Sequence, residues 1–402
     1  MDREITPTGL HLFTPMTIGT VESRNRFIRS STSESLADED GFITPRYRRL
    51  HVDLARGGVG IIFTGHCYVH PSGKSIAGMT GMHDDAHIPQ LRRLTDAVHA
   101  EGARIFAQLQ HAGSQSRAPE VTPLAPSVVP NPQFGRTPKE ATDAEIREIV
   151  AAFGEAAGRA KAAGFDGVHV HAGHGYLISE FLSPDSNRRT DEWGGSLENR
   201  QRFGLEVFRA MRREVGADFP IAWKLGLEDF VPGGLELMEG MATAEVFDRE
   251  GVDALEGSAG LMSPAAESAP RYVAVGPRRA IEDKLLHRVF KRPVAEAYFR
   301  DWAVELRRRV GCRVILVGGL RTPETMESVI ADGVADFVSL ARPFIREPDL
   351  VRQIERGRRG LVDCVSCNIC LMHEGVHGLK CWRVSNRDLA VHALHRLAGR
   401  VQ

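Results

Sequence analysis

Phe165–Phe203 reads FDGVHVHAGHGYLISEFLSPDSNRRTDEWGGSLENRQRF. A short apolar strand breaks at glycines and presents His171, His174 and Tyr176 within six residues. It then runs into a polar loop rich in Arg, Asp, Asn and Gly. A strand whose carboxyl end opens into a loop of titratable groups is how an α/β enzyme builds an active site. The question for the rest of the chain is how many other strands end beside this one.

Outward from that stretch, apolar or β-branched segments alternate with amphipathic ones. Strands are expected at Arg26–Arg29, Val59–Thr64, Arg104–Gln108, Gly167–His171, Ile221–Leu225, Ala254–Glu256, Val314–Val317 and Phe337–Leu340. Helices are expected at Tyr47–Arg56, Ile88–Glu101, Asp143–Ala163, Ser196–Val215, Leu237–Glu250, Glu296–Val310, Pro323–Asp332 and Pro348–Arg356. Several of these helices end in a glycine C-cap just before the next apolar run. Eight strand–helix alternations predict an α/β fold, a (β/α)8 TIM barrel, rather than an open sheet. An open doubly wound sheet should carry Gly-x-Gly-x-x-Gly after its first strand, and none stands there.

The chain of 402 residues is long enough for one large barrel. The expected division is a barrel over residues 1–362 and a short cysteine-containing extension over residues 363–402. A formal net charge of −1 gives no footprint for nucleic acid. No apolar run reaches the ~18 residues of a membrane span, and the N-terminus has no apolar core of a secretory signal. Six cysteines without such a signal point to reduced thiols and a cytoplasmic location.

Two long connections stand out. Ala118–Thr142 is too proline-rich for a helix and is placed to cover the barrel mouth. The stretch from Gly257 to Pro293 carries Arg271, Arg278, Arg279, Lys284, His287, Arg288, Lys291 and Arg292. These either face an anionic substrate or nicotinamide phosphates, or form a solvated helix on an enlarged crossover.

Barrel active sites assemble at the carboxyl ends of the strands. Those ends hold Arg29–Glu34, Gly65, Gln108 with His111, the His171–Tyr176 set, Lys224, Ser258, Gly318-Gly319 and Ala341-Arg342. Glycines after the seventh strand and an arginine after the eighth, each before a helix start, form a phosphate site of the usual barrel kind.

Through LFTPMTIGTVESRNRF, FAQLQHAG, the run from His171 to Phe203, VGG and ARPF, the chain resembles the Old Yellow Enzyme family of flavin-dependent ene-reductases. The resemblance covers roughly residues 10–360. The branch looks like the bacterial group close to 2,4-dienoyl-CoA reductase and trimethylamine dehydrogenase. The resemblance implies non-covalent FMN at the barrel mouth, with NAD(P)H as reductant and an activated alkene as substrate. Ser30, Ser31, Thr32 and Gly65 would border the flavin ring, Gln108 its pyrimidine edge, and Lys224 its N1/O2 side. Gly318, Gly319, Ala341 and Arg342 would hold the phosphate. His171 and His174 would bind the carbonyl oxygen of the alkene, and Tyr176 would supply the proton, as a phenol of ordinary pKa ~10 can. Ser33 and Ser35 stand where some relatives have Cys and Tyr, so the redox tuning by those side chains does not carry over.

Cys364, Cys367, Cys370 and Cys381 are spaced C-x2-C-x2-C-x10-C. The resemblance implies a [4Fe–4S] cluster on a similar pattern. A structural zinc site with four thiolates and a metal-free pattern both stay open. The cluster-bearing relatives continue into further nucleotide-binding domains, whereas this sequence ends 21 residues after Cys381. NAD(P)H is therefore expected to reduce FMN directly. The leading expectation is an ene-reductase. An oxidative flavoenzyme acting on an amine or saturated carbonyl compound, and a non-redox lyase or isomerase, are the alternatives. The last 20 residues read as a basic amphipathic helix, which leaves a homo-oligomer open.

Overall fold

A computed structural model describes residues 9–131, 134–262, 285 and 296–401. Eight strands form the barrel: β1 (Phe27–Arg29), β2 (Ile61–Tyr68), β3 (Arg104–Gln110), β4 (Gly167–Ala172), β5 (Ile221–Phe230), β6 (Ala254–Met262), β7 (Arg313–Val317) and β8 (Phe337–Leu340). Each pairs in parallel with its sequence neighbours, and β8 returns to pair with β1, so the sheet closes. The helices that follow the strands around the barrel are α1 (Pro45–Arg56), α2 (Ile88–His99), α3 (Asp143–Ala162), α4 (Leu197–Val215), α5 (Leu237–Glu250), α6 (Arg300–Arg309), α7 (Pro323–Ala331) and α8 (Leu350–Glu355). The expected (β/α)8 barrel is the observed one.

Alternation along the strands sorts the side chains into two populations. Outward residues such as Ile62, Val170, Trp223, Leu255 and Val338 are buried against the helices. Inward, the lower layer is apolar: Ile28, Ile61, Phe63, Phe106, Ala222, Ala254, Ile315 and Phe337 pack together. Its floor is a hairpin, Met16–Ile18 with Val21–Ser23, whose Met16, Ile18 and Val21 join that packing. Two residues further along several of the same strands the inward side chain turns polar, as at Gln108, Lys224, Glu256 and Ser339, joined by His169 of β4. The barrel is thus sealed below and chemically equipped above.

Several boundaries differ from expectation for local reasons. Helix α1 starts at Pro45 because the Thr44 hydroxyl accepts from the Tyr47 amide. Helix α6 begins at Arg300, not Glu296, because the Glu296 carboxylate is engaged elsewhere, accepting from the Arg321 and Thr322 amides at 2.6 and 2.7 Å. Strands β5 and β6 run past Leu225 and Glu256 to Phe230 and Met262, with register shifts after Gly226 and after Glu228. Among its described residues the proline-rich connection forms no helix, and its Leu124–Ala125 and Lys139–Glu140 pair instead. The basic connection after β6 lies outside the described residues.

Residues 363–401 run back over the barrel mouth. The Gly375 amide donates to Ser35 Oγ (3.1 Å) and the Leu379 amide to the Glu34 carbonyl (2.7 Å), both in the loop after β1. The expected terminal helix spans Asn386–Leu397, with Leu394 and Leu397 exposed. Among the described residues, no helix is long and apolar enough to cross a membrane.

Candidate active site

A cavity of about 320 Å³ opens at the carboxyl ends of the strands. Ser30, Ser31, Thr32, Gln108, His171, His174, Tyr176, Lys224, Gly318, Gly319, Ala341 and Arg342 all line it. Of the positions expected to touch flavin or substrate, Gly65 does not. Its α-carbon is pressed against the Glu34 carboxylate and the Thr32 carbonyl, where a β-carbon would come within 2.8 and 2.9 Å. Gly65 shapes the strand 1 loop from behind.

The floor is a buried polar chain set by strand register, since Gln108 pairs with His169 and Lys224 with Glu256 across adjacent strands. Ser31 Oγ donates to Gln108 Oε1 (2.6 Å), and Gln108 Nε2 donates to His169 Nδ1 (3.0 Å). His169 Nε2 faces Glu256 Oε2 at 3.4 Å. Lys224 Nζ lies 2.5 Å from the same carboxylate oxygen, and Ser30 Oγ donates to Oε1 (3.1 Å). Burial works to raise the Glu256 carboxyl, but Lys224 and His169 outweigh it and hold the group below its ordinary value. Burial pushes the His169 imidazole down to about 3, so it stays neutral.

The opposite wall carries the His171–Tyr176 set. His174 takes a left-handed backbone conformation (φ 57°) between two glycines. Its amide donates to the Ala259 carbonyl (3.0 Å) and its Nε2 meets Ser258 Oγ at 2.8 Å. The Gly173 amide donates to His171 Nδ1 at 3.4 Å, which leaves the ring proton on Nε2. The His171 ring lies 5.1 Å from that of His174 and 4.5 Å from that of Tyr176. Burial, then neighbouring positive charge, drives both imidazoles well below their ordinary value, His174 to about 3. Burial raises the Tyr176 phenol above its ordinary range. The wall therefore offers neutral N–H and O–H donors at any working pH.

Five residues of this region were not anticipated from the sequence. His169 and Glu256 carry the inward parity of Gln108 and Lys224, and strand alternation could have found them. His66 follows Gly65 and stacks edge-on to Tyr176 with ring centres 5.4 Å apart. Arg117 and Glu374 meet at 3.0 Å across the mouth, and no local pattern announces a pair 257 positions apart.

The residues present fit FMN. Gly318 and Gly319 both take positive φ (104° and 73°), and a β-carbon on Gly319 would come within 2.7 Å of the Tyr298 ring. Their bare backbone, with Ala341 and Arg342 alongside, suits close approach by a phosphate. The Ser339 hydroxyl also lines the cavity.

Beside this cavity lies a smaller one of about 110 Å³, lined by Cys364, Cys367, Cys370 and Cys381 together with Arg342, Arg346 and Arg383. All six cysteines of the chain are free thiols. No three His, Cys, Asp or Glu donors among the described residues are gathered closely enough for a metal ion.

A closed (β/α)8 barrel with cation-lined, glycine-cradled strand ends defines a flavin-type oxidoreductase scaffold. Residues 11–360 match the NADH:flavin oxidoreductase / NADH oxidase family, and the chain belongs to it. It is 39% identical over 365 residues to an NADH oxidase of Thermoanaerobacter brockii, covering 89% of this chain and 53% of that protein. A structure of a 2-naphthoyl-CoA reductase complex superposes with a TM-score of 0.84 at 28% identity, over 95% of this chain and 58% of the other. An Old Yellow Enzyme homologue from Zymomonas mobilis superposes with a TM-score of 0.69 at 26% identity, over 89% and 96%. The chain thus spans about half the length of the first two and nearly all of the third. This membership removes the non-redox lyase or isomerase reading.

Proposed function

We propose that the chain is an NAD(P)H-dependent FMN oxidoreductase that reduces the C=C bond of an electron-poor alkene. Its barrel is residues 1–362 and its extension residues 363–402, and it works in a reducing cytoplasm where its thiols stay unpaired. The single observation carrying this reading is the pairing of two neutral buried imidazoles with a protonated phenol on the wall facing the Gln108–Lys224 floor.

Gln108, Lys224 and the Ser30–Thr32 backbone would hold the flavin ring of FMN, and Gly318, Gly319, Ala341 and Arg342 its phosphate. When bound, FMN supplies a hydride equivalent drawn from the reduced nicotinamide. His171 and His174 donate to the substrate carbonyl oxygen, where negative charge develops as the β-carbon is reduced. Donors fixed in place by Gly173 and Ser258 pay no reorganisation cost at that moment, so they favour the transition state over the ground state. Tyr176 then gives its hydroxyl proton to the α-carbon. A phenol with a raised pKa is still far more acidic than the C–H bond it forms.

The four tail cysteines are read as ligands of a [4Fe–4S] cluster. Support comes from the all-thiol donor set, placed around a cavity that three arginines flank, a setting that favours an anionic group.

The deciding experiment is anaerobic. Purified protein should show flavin absorbance that bleaches with NAD(P)H and returns on adding 2-cyclohexenone. A colourless protein that fails to take up FMN refutes the proposal. Iron and sulfide analysis of protein prepared without air decides the cluster.

A further inference from the structure

Taking the ene-reductase reading as its basis, we infer that the substrate carries a carboxylate as well as its activated alkene, and that Arg117 binds it. Four cationic side chains line the cavity, against one carboxylate, Glu374, among the described residues. Three of the four are committed. Lys224 is held by Glu256, Arg342 hydrogen-bonds Asn368 Oδ1, and Arg321 donates to the Cys364 carbonyl (2.8 Å).

Arg117 is different. It lies on the substrate wall, since its charge and that of Glu374 both act on Tyr176 and His66. Its guanidinium sits over the Phe134 ring at 4.7 Å, which fixes the plane of the fork. Nη2 donates to Glu374 Oε2 at 3.0 Å, whereas Nε, buried, has no hydrogen-bond partner among the described residues. Nε and Nη2 form one edge of the guanidinium, the edge that takes a carboxylate in a bidentate manner. Here that edge is half filled, by a side chain reaching over from the extension. A substrate carboxylate fills both halves and releases Glu374. A buried donor left unmet is costly, and this exchange relieves it. Glu374 is then a placeholder that keeps the arginine charge-balanced until substrate arrives.

The test compares 4-oxopent-2-enoate with its methyl ester, using the FMN-loaded full chain. The acid should exceed the ester by about tenfold or more in kcat/KM, chiefly through KM, as expected for a charge-assisted bidentate contact. Arg117→Gln should collapse that ratio to near one, and Arg117→Lys should restore only part of it. Glu374→Gln should lower KM for the acid by removing its competitor. Binding of the saturated acid, 4-oxopentanoate, followed by its perturbation of flavin absorbance, should weaken about tenfold or more in Arg117→Gln. Equal handling of acid and ester by the wild type, or a preference that survives Arg117→Gln, overturns the inference. If neither alkene is reduced although flavin is bound, the ene-reductase reading fails. The binding arm then judges Arg117 alone, and unchanged affinity for 4-oxopentanoate in Arg117→Gln refutes it.

Discussion

Replacing Lys224 with Met should destabilise the barrel through the carboxylate it abandons. Glu256 is fully buried and Lys224 nearly so, with 2.5 Å between the charges. In Lys224→Met the remaining contacts of Glu256 are the neutral His169 at 3.4 Å, the Ser30 hydroxyl at 3.1 Å and the Ser339 hydroxyl. Removing one partner of a buried ion pair costs about 3–5 kcal/mol. For 402 residues at about 2.1 cal/mol/K each, the unfolding entropy is roughly 0.85 kcal/mol/K, so the melting temperature should fall by about 4–6 °C. Adding Glu256→Gln to Lys224→Met removes the stranded charge and should recover most of that loss. The assay is thermal unfolding of wild type, both single variants and the double variant, with and without FMN. Coupling of about 2 kcal/mol between the two sites is expected, within the range for residues in contact. A fall below about 1 °C in Lys224→Met, or strictly additive effects, refutes the claim that this pair anchors the floor.

Tyr176→Phe should slow the alkene half-reaction by about 10²–10⁴, the usual worth of a positioned proton donor, with flavin reduction by NAD(P)H falling far less in stopped-flow traces. Glu180, buried and accepting from the Ser114 amide, is raised by burial to about 8 from an ordinary 4.5. Its folded pKa exceeds its unfolded one, so its contribution is complete below about 4.5 and is lost as pH rises towards 8. Glu180→Gln should therefore gain on the order of 3 kcal/mol over wild type between pH 5 and pH 8 in urea titrations, and a difference in unfolding free energy between variant and wild type that is the same at both pH values would contradict the assignment. Gly319→Ala forces a β-carbon towards the Tyr298 ring at a φ of 73°. It should cost about 1–2 kcal/mol of backbone strain and weaken FMN retention, read by recovery of flavin fluorescence on dilution.

The barrel was legible in the sequence because its signals are local. Apolar runs, glycine caps and strand-end residues each announce themselves within a few positions, and His171, His174, Tyr176, Gln108 and Lys224 all reach one cavity as their strand ends implied. What escaped was set by register or by distance. Glu256 reads as one charge in a short apolar run until β5 places Lys224 beside it. Gly65 stands at a strand end like the others, yet the backing of Glu34 keeps it out of the cavity. Zinc and iron–sulfur readings of the cysteines share one spacing, and no closely gathered donor set among the described residues separates them.

The tail that walls the cavity also governs access to it. Its contacts with the mouth join positions 340 apart, Ser35 to Gly375, and 257 apart, Arg117 to Glu374. The barrel sheet closes through β8 and β1 without any strand from the tail, so the tail adds a wall to a sheet that is already closed. A chain without that wall presents a wider entrance to a cofactor the size of FMN. The expected signature is faster FMN uptake by a chain ending at Val362 than by the full chain, and slower release from the latter. Residues 363–401 are in this sense a door, shutting on whatever the barrel holds.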